Sequence, residues 1–279
     1  MSALQDFVRK SDYAVCVDSD GCAMDTMNIK HFRCFGPCMV REWQLEQWEK
    51  AILDRWNEIN LFSATRGINR FKGLALMLRE VNDQYTKIGG IEVLEDWAEH
   101  AKELSNDAVA AKSGEDPVFA KALAWSRAVN EAIEALPEDE VGPYEGVDKA
   151  LQKAHESADV VVVSSANPEA VKAEWTRFGL IDEVDLLCTQ DMGSKAFCIG
   201  ELLKKGYAPD HILMCGDAPG DEAAAGTNGV LYYPILVNRE KESWAQFIEE
   251  ALPRFLEGSY AGDYQKQVRK EFRANLGMD

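Results

Sequence analysis

Tyr13-Ala14-Val15-Cys16-Val17-Asp18-Ser19-Asp20-Gly21 lies near the start of the chain. Its apolar run reads as a short strand buried in a sheet. The run stops abruptly at two aspartates separated by one residue, followed by glycine. Two carboxylates side by side at a strand end repel each other unless a cation joins them. Glycine lets the chain turn away sharply, because it tolerates backbone angles that other residues avoid. Alone, Asp-x-Asp-Gly fits an acidic turn equally well, so its meaning depends on what the other strands deliver.

Those strands lie far downstream. Val160-Val161-Val162-Val163 is another buried run, and Leu186-Leu187-Cys188, Ile212-Leu213-Met214-Cys215 and Val230-Leu231-Tyr232-Tyr233 follow. Helical patterns fill the gaps at Val147–His155, Pro168–Phe178, Lys195–Lys204 and Asp221–Ala225. Strictly alternating strands and helices predict a parallel sheet covered by helices on both faces. The first strand belongs to that sheet, so the segment between Gly21 and Val147 is an insertion into one α/β domain.

The insertion has a different period. Leu45, Trp48, Ile52, Trp56 and Ile59 recur at steps of three and four, as do Leu74, Leu78 and Val81. Ile91, Leu94, Trp97, Ala101 and Leu104 repeat the pattern, and so do Phe119, Ala122, Ser126, Val129, Ile133 and Leu136. Such stripes predict a small helical bundle whose core they form. Pro137 ends the last helix, and the acidic stretch from Glu138 to Gly146 reads as a linker. Two further helical stretches, Trp244–Phe255 and Tyr264–Leu276, close the chain with no functional signal of their own.

Composition narrows the function. The 279 residues are 46% hydrophobic and 28% charged, with a formal net charge of -18, a pI near 4.7 and a mean hydropathy of -0.29. So acidic a chain is unsuited to broad nucleic-acid binding or to anionic membranes. An anionic substrate therefore needs a local positive cluster or a metal. The N-terminal residues lack the layout of a signal peptide, and no apolar run spans a bilayer, so the expected location is the cytoplasm. The seven cysteines are an odd number, and several fall inside strands, which predicts reduced thiols. Cys34-x-x-x-Cys38 lacks a second pair to complete a metal site.

Ligands bind beyond the carboxyl ends of parallel strands. Asp18 and Asp20 follow the first. Ser164 and Ser165 follow Val163 and open a helix, where free backbone N–H groups suit a phosphate. Lys195 follows Cys188 across a loop and starts a helix. Asp217 and Asp221 follow Cys215. Four strand ends thus deliver two acids, a hydroxyl pair, a lysine and two more acids.

This series resembles the haloacid dehalogenase-like (HAD) hydrolases, whose four motifs it carries in order. The likeness covers roughly residues 11–25 and 146–234, and it implies a Rossmann-like parallel-sheet HAD core with an inserted all-helical C1 cap. The expected boundaries are a core of 1–24 and 145–279, with C-terminal helices over 239–279, and a cap of 25–144. The resemblance implies Asp18 as nucleophile, forming an aspartyl-phosphate. It implies Asp20 as the acid that protonates the leaving oxygen and then the base that deprotonates water. Relatives that dehalogenate lack an acid at that second position. Mg2+ is implied on the Asp18 and Asp217 carboxylates and the Asp20 carbonyl, with Asp221 behind or beside them. Ser164, Ser165 and Lys195 would grip the phosphoryl group. Cys22 stands where threonine is common in the family, and Ala196 where proline is common.

In the insertion, Thr65-Arg66-Gly67-Ile68-Asn69-Arg70-Phe71-Lys72-Gly73 is the densest basic cluster. Gly67-Ile68-Asn69-Arg70 resembles the specificity loop of the β-phosphoglucomutase-like group, which implies Asn69 and Arg70 as substrate-binding residues. A solvated helix start is the plainer alternative. His31 resembles that group's hinge histidine but is displaced by one residue, so cap packing suits it better. The expected activity is Mg2+-dependent hydrolysis of a small phosphorylated metabolite. A phosphomutase is the alternative, and a non-catalytic HAD-fold regulator a further one. Self-association stays open.

Overall fold

Five short apolar runs pair as one parallel sheet in the order β3-β2-β1-β4-β5. They are β1 (Ala14–Val17), β2 (Asp159–Val163), β3 (Leu186–Cys188), β4 (Ile212–Gly216) and β5 (Leu231–Pro234). This computed structural model describes residues 3–137 and 140–278, so Glu138 and Asp139 of the acidic linker lie outside the described residues. The chain divides into two compact units, Met1–Thr26 with Val141–Asp279, and Met27–Glu140.

The first unit holds the sheet. β1 is central, with Val15 level with Val160 on one side and with Leu213 on the other. Every residue of β1, β2 and β4 is buried, which is why these strands are continuous apolar runs without alternation. Helices Val147–His155, Pro168–Arg177, Lys195–Lys204 and Pro219–Asn228 connect or flank the strands. Trp175, Trp244, Phe255 and Tyr260 fill one large core cluster with Val15, Val17, Val160 and Val162. Where the chain leaves this unit and returns, the two passages pair: Asp25 N–H donates to the Gly142 carbonyl (2.7 Å) and Tyr144 N–H to Ala23 (3.0 Å).

Among its described residues the second unit contains helices and no strand. Its main helices are Gly36–Trp43, Glu49–Leu61, Arg70–Gln84, Ile91–His100, Asn106–Lys112 and Pro117–Glu134. Trp56, Trp125, Phe71, Trp97 and Phe119 meet largely edge to face in its core, the geometry aromatic quadrupoles prefer. The stripe from Ile91 to Leu104 does not form one helix. It ends at His100, Ala101 turns extended, and Ser105 caps a new helix by accepting from Ala108 N–H (3.2 Å).

Two helices contain a wide π turn immediately before a proline. His31–Phe35 precedes Gly36-Pro37, and Phe247–Ala251 precedes Leu252-Pro253. A proline within a helix lacks an N–H and clashes with the preceding turn. Widening that turn, with bonds to the fifth residue back, lets the helix run on. For this reason the predicted stretch Trp244–Phe255 is one continuous helical path from Glu240 to Leu256 despite Pro253.

All seven cysteines are buried and free. Among the described residues no helix is long and apolar enough to cross a membrane.

Candidate active site

The strand register carries the polar residues to one edge. Val17 is level with Val162 and with Cys215, so Asp18 leaves the sheet beside Val163 and Gly216. Ser164 and Asp217 follow one residue later on the flanking strands. Asp18 N–H still bonds to the Cys215 carbonyl (3.0 Å), which holds the first acid rigidly at the end of the ladder. Beyond it the chain closes a tight loop: Ala23 and Met24 N–H groups return to the Ser19 carbonyl, at 3.0 and 2.8 Å. Gly21 takes φ 79° there, a left-handed angle that glycine adopts without strain.

Asp18, Asp217 and Asp221 each present a carboxylate oxygen, and these oxygens lie within 4.8 Å of one another. All three residues are buried. Lys195 reaches into the group, its Nζ 2.6 Å from Asp18 Oδ2 and 2.5 Å from Asp221 Oδ1. It gets there from the first position of its helix, which Ser194 caps by accepting from Phe197 N–H (3.2 Å). Asp221 is held on its other oxygen by Ala218 N–H (3.1 Å). Gly216 is needed beneath it, because a Cβ there would collide with the Asp221 side chain.

The electrostatics follow from this crowding. Burial pushes the Asp18 carboxyl well above its ordinary range, and the Asp221 and Asp217 charges add to that while Lys195 opposes it. Burial disfavours the Lys195 ammonium, yet the carboxylates of Asp18 and Asp221 outweigh it and raise the lysine's pKa. Burial, then Asp217 and Asp18, likewise raise the Cys22 thiol. Cys22 therefore stays neutral, with Sγ 3.5 Å from the Cys215 carbonyl. One ammonium among three carboxylates leaves net negative charge in a buried space. The donors are oxygen only, which suits a hard divalent cation such as Mg2+ rather than a soft metal. The residues present therefore fit the metal that the sequence resemblance implies.

The Asp20 carboxylate is not part of the three-carboxylate group; it is half-buried and accepts the Thr26 hydroxyl. Ser164 is buried, and its Oγ accepts from Ala166 N–H (3.1 Å) just ahead of the helix capped by Asn167. Ser165 is exposed. In the helical unit, Asn69 caps the helix Arg70–Gln84 by accepting from Phe71 N–H (2.9 Å), and its amide donates to the Leu104 carbonyl (3.2 Å). Arg70 Nη1 donates to Ser126 Oγ (3.0 Å) and Asn130 Oδ1 (2.7 Å), and the guanidinium lies over the Phe35 ring. Of the neighbouring basic residues, Arg66 is buried with Nη1 on the Leu61 carbonyl (2.8 Å), and Lys72 pairs with Glu99 (3.2 Å). His31 Nδ1 accepts the Trp56 indole N–H (3.1 Å), and its ring stacks on Phe35.

Four supporting residues escape the sequence reading. Thr26 holds Asp20, as above. Trp175 donates its indole N–H to Ser19 Oγ (2.9 Å), and Trp244 donates to the Cys22 carbonyl (3.0 Å). The Tyr232 hydroxyl donates to the Gly216 carbonyl (2.9 Å). Trp175, Trp244 and Tyr232 read in the sequence as parts of apolar patterns, and Thr26 as an ordinary turn residue. The one available signal is general: a buried Trp or Tyr needs an acceptor for its polar hydrogen.

A family model described as haloacid dehalogenase-like hydrolase matches residues 76–233, more than half of the chain. The chain belongs to the haloacid dehalogenase-like hydrolases, and it is a hydrolytic enzyme. The matched residues include Ser164, Lys195, Asp217 and Asp221, whereas Asp18 and Asp20 lie ahead of them and join through the sheet. No curated protein matches the sequence. Among solved structures, one designated a phosphoglycolate phosphatase, from Lactobacillus delbrueckii subsp. bulgaricus, has a TM-score of 0.51 at 14% identity, covering 96% of this chain and 100% of its own. Another, designated a β-phosphoglucomutase, from Thermotoga maritima, has a TM-score of 0.46 at 15% identity, covering 80% and 84%. At such identities the likeness concerns fold alone.

Proposed function

We propose that the chain is a Mg2+-dependent phosphatase acting on a small phosphorylated metabolite through an aspartyl-phosphate on Asp18. The observation that carries this reading is the buried Asp18 carboxylate, 2.6 Å from Lys195 Nζ and grouped with Asp217 and Asp221. An Asp18 oxygen attacks phosphorus while the bond from phosphorus to the leaving oxygen breaks. Asp20 gives that oxygen a proton. Asp20 then takes a proton from the water that attacks the aspartyl-phosphate, and inorganic phosphate departs as the Asp18 carboxylate is restored. Lys195, Ser164 and Ser165 hold the phosphoryl oxygens as charge shifts across them. Mg2+, held by Asp18, Asp217, Asp221 and the Asp20 carbonyl, would neutralise charge on the phosphoryl group when bound. A reducing cytoplasmic setting suits seven free buried thiols.

The test is a phosphate-release screen over phosphorylated sugars, acids and nucleotides, with and without metal. Exhaustive EDTA treatment silences turnover and Mg2+ restores it. Full activity after chelation contradicts the metal assignment, and phosphate transferred to a second position of the substrate indicates a mutase instead.

Arg70 is the residue we assign to the substrate's distal anionic group, with Asn69 setting the start of its helix. The partners of its Nη1 are neutral, and burial lowers the guanidinium pKa with no carboxylate among the described residues to compensate. A half-buried cation in neutral company is best served by an anion from elsewhere. Arg70→Ala is expected to cost on the order of 1.5–3 kcal/mol, roughly ten- to over a hundredfold in kcat/KM, for a substrate with a second anionic group. Slow hydrolysis of a plain aryl phosphate stays unchanged. Equal losses on both substrates would assign Arg70 to cap structure alone.

A further inference from the structure

The helix Asp263–Asn275 covers the open side of β5, the last strand of the sheet. Tyr232 N–H donates to Gln265 Oε1 (3.0 Å), and the Tyr260 hydroxyl donates to the Tyr232 carbonyl (2.7 Å). An unpaired strand edge is thereby satisfied by side chains from the C-terminal segment. The same helix does something that edge protection does not require. Arg269 Nε lies 2.6 Å from Glu222 Oε1, and Arg273 Nη2 lies 3.1 Å from Glu222 Oε2.

Glu222 directly follows Asp221 on the helix Pro219–Asn228. Its side chain is 7% exposed, whereas those of the two arginines are 41% and 45% exposed. A buried carboxylate is unfavourable without partners, and replacing a buried ion pair by apolar residues is often neutral or stabilising. Sealing the helix against the sheet therefore does not call for a charge. A carboxylate gripped on both oxygens by two guanidinium groups does fix one orientation of the helix, because such charge-assisted bonds are directional. The helix start so fixed carries Asp221, which meets Lys195 at 2.5 Å and the Ala218 N–H at 3.1 Å.

We propose that Glu222, clamped by Arg269 and Arg273, is a positioning residue for the acid group: it holds Asp221, and through Asp221 Lys195, in register with Asp18. The C-terminal helix is then a working part of the catalytic unit. The rate and metal readouts of this proposal rest on the metal-dependent reading above; its hydrogen-exchange readout stands without it.

The experiment uses the full chain and compares wild type with Glu222→Gln, with the pair Arg269→Ala and Arg273→Ala, and with Arg269→Lys. Mg2+ binding is measured by calorimetry, and amide exchange is followed over residues 216–223 and over β1. Residues that orient metal ligands shift metal affinity by roughly 10- to 100-fold when altered. Glu222→Gln and the double arginine variant are expected to weaken Mg2+ binding by about tenfold or more, with faster exchange confined to 216–223. Arg269→Lys keeps the charge and recovers most of the affinity. Unchanged Mg2+ affinity together with unchanged exchange at 216–223 would overturn the proposal, and so would exchange that quickens equally in β1, the mark of general destabilisation. If wild type itself binds no Mg2+, the phosphatase reading fails, and the exchange comparison alone judges the clamp.

Discussion

Asp18→Asn is expected to abolish phosphate release while leaving the protein folded. Asparagine has nearly the shape of aspartate, and the backbone contact that places residue 18, its N–H on the Cys215 carbonyl, does not involve the side chain. What the substitution removes is the attacking oxygen. With no covalent route left, turnover should fall by roughly 10^4-fold or more, the scale seen when an enzyme's nucleophile is deleted. Stability should move differently. Burial and the neighbouring Asp221 and Asp217 disfavour the Asp18 charge by more than Lys195 favours it, so its pKa lies well above the usual range. A neutral residue there relieves that conflict, and Lys195 retains Asp221 as a partner. The melting temperature in EDTA is therefore no lower than that of wild type. Normal turnover by the folded variant would remove Asp18 from the nucleophile's role, and a large drop in melting temperature would show that its charge holds the fold together.

How much of this could be read from the sequence depends on the range of the interactions. The sheet was legible because a strand buried on both faces must be apolar along its whole length, as Val160–Val163 is. The strand-end acids and lysine were legible because polar residues immediately after such runs have one destination, the carboxyl edge. The break at His100 was not legible, since Ala101 and Leu104 continue the apolar spacing and remain packed on the helical unit's core after the helix has ended. The capping bond of Ser105 decides that point. Trp175 and Trp244 were illegible for a further reason. They sit 156 and 222 residues from the loop atoms they bind, and their indole N–H groups leave no periodic trace. The arginine clamp on Glu222 likewise joins positions 47 and 51 residues apart. A pattern of charges on a C-terminal helix looks like a solvated face until the sheet edge is in place.

Lys195→Met separates the charge of the lysine from its bulk. Methionine fills much of the same volume but brings no cation to a group in which Nζ sits 2.6 Å from Asp18 and 2.5 Å from Asp221. Breaking a buried ion pair by removing one partner is strongly destabilising, because the remaining charge has neither water nor a counter-ion. In EDTA the variant should lose on the order of 3–5 kcal/mol, a fall in melting temperature of about 10 °C for a chain of this size. Mg2+ should recover part of that loss, since a cation bound only by the folded state stabilises it by mass action. Activity should not recover with it. The ammonium also meets the charge that builds on the phosphoryl oxygens, and removing one such group costs roughly 10^2–10^3 in kcat. Stability that returns with Mg2+ while turnover stays low would show the two roles to be separable. A variant as stable as wild type in EDTA would mean that the carboxylates are protonated or hydrated in solution, and the ion-pair account of Lys195 would fail. Full turnover with Mg2+ would restrict the lysine to holding Asp18 and Asp221 in place.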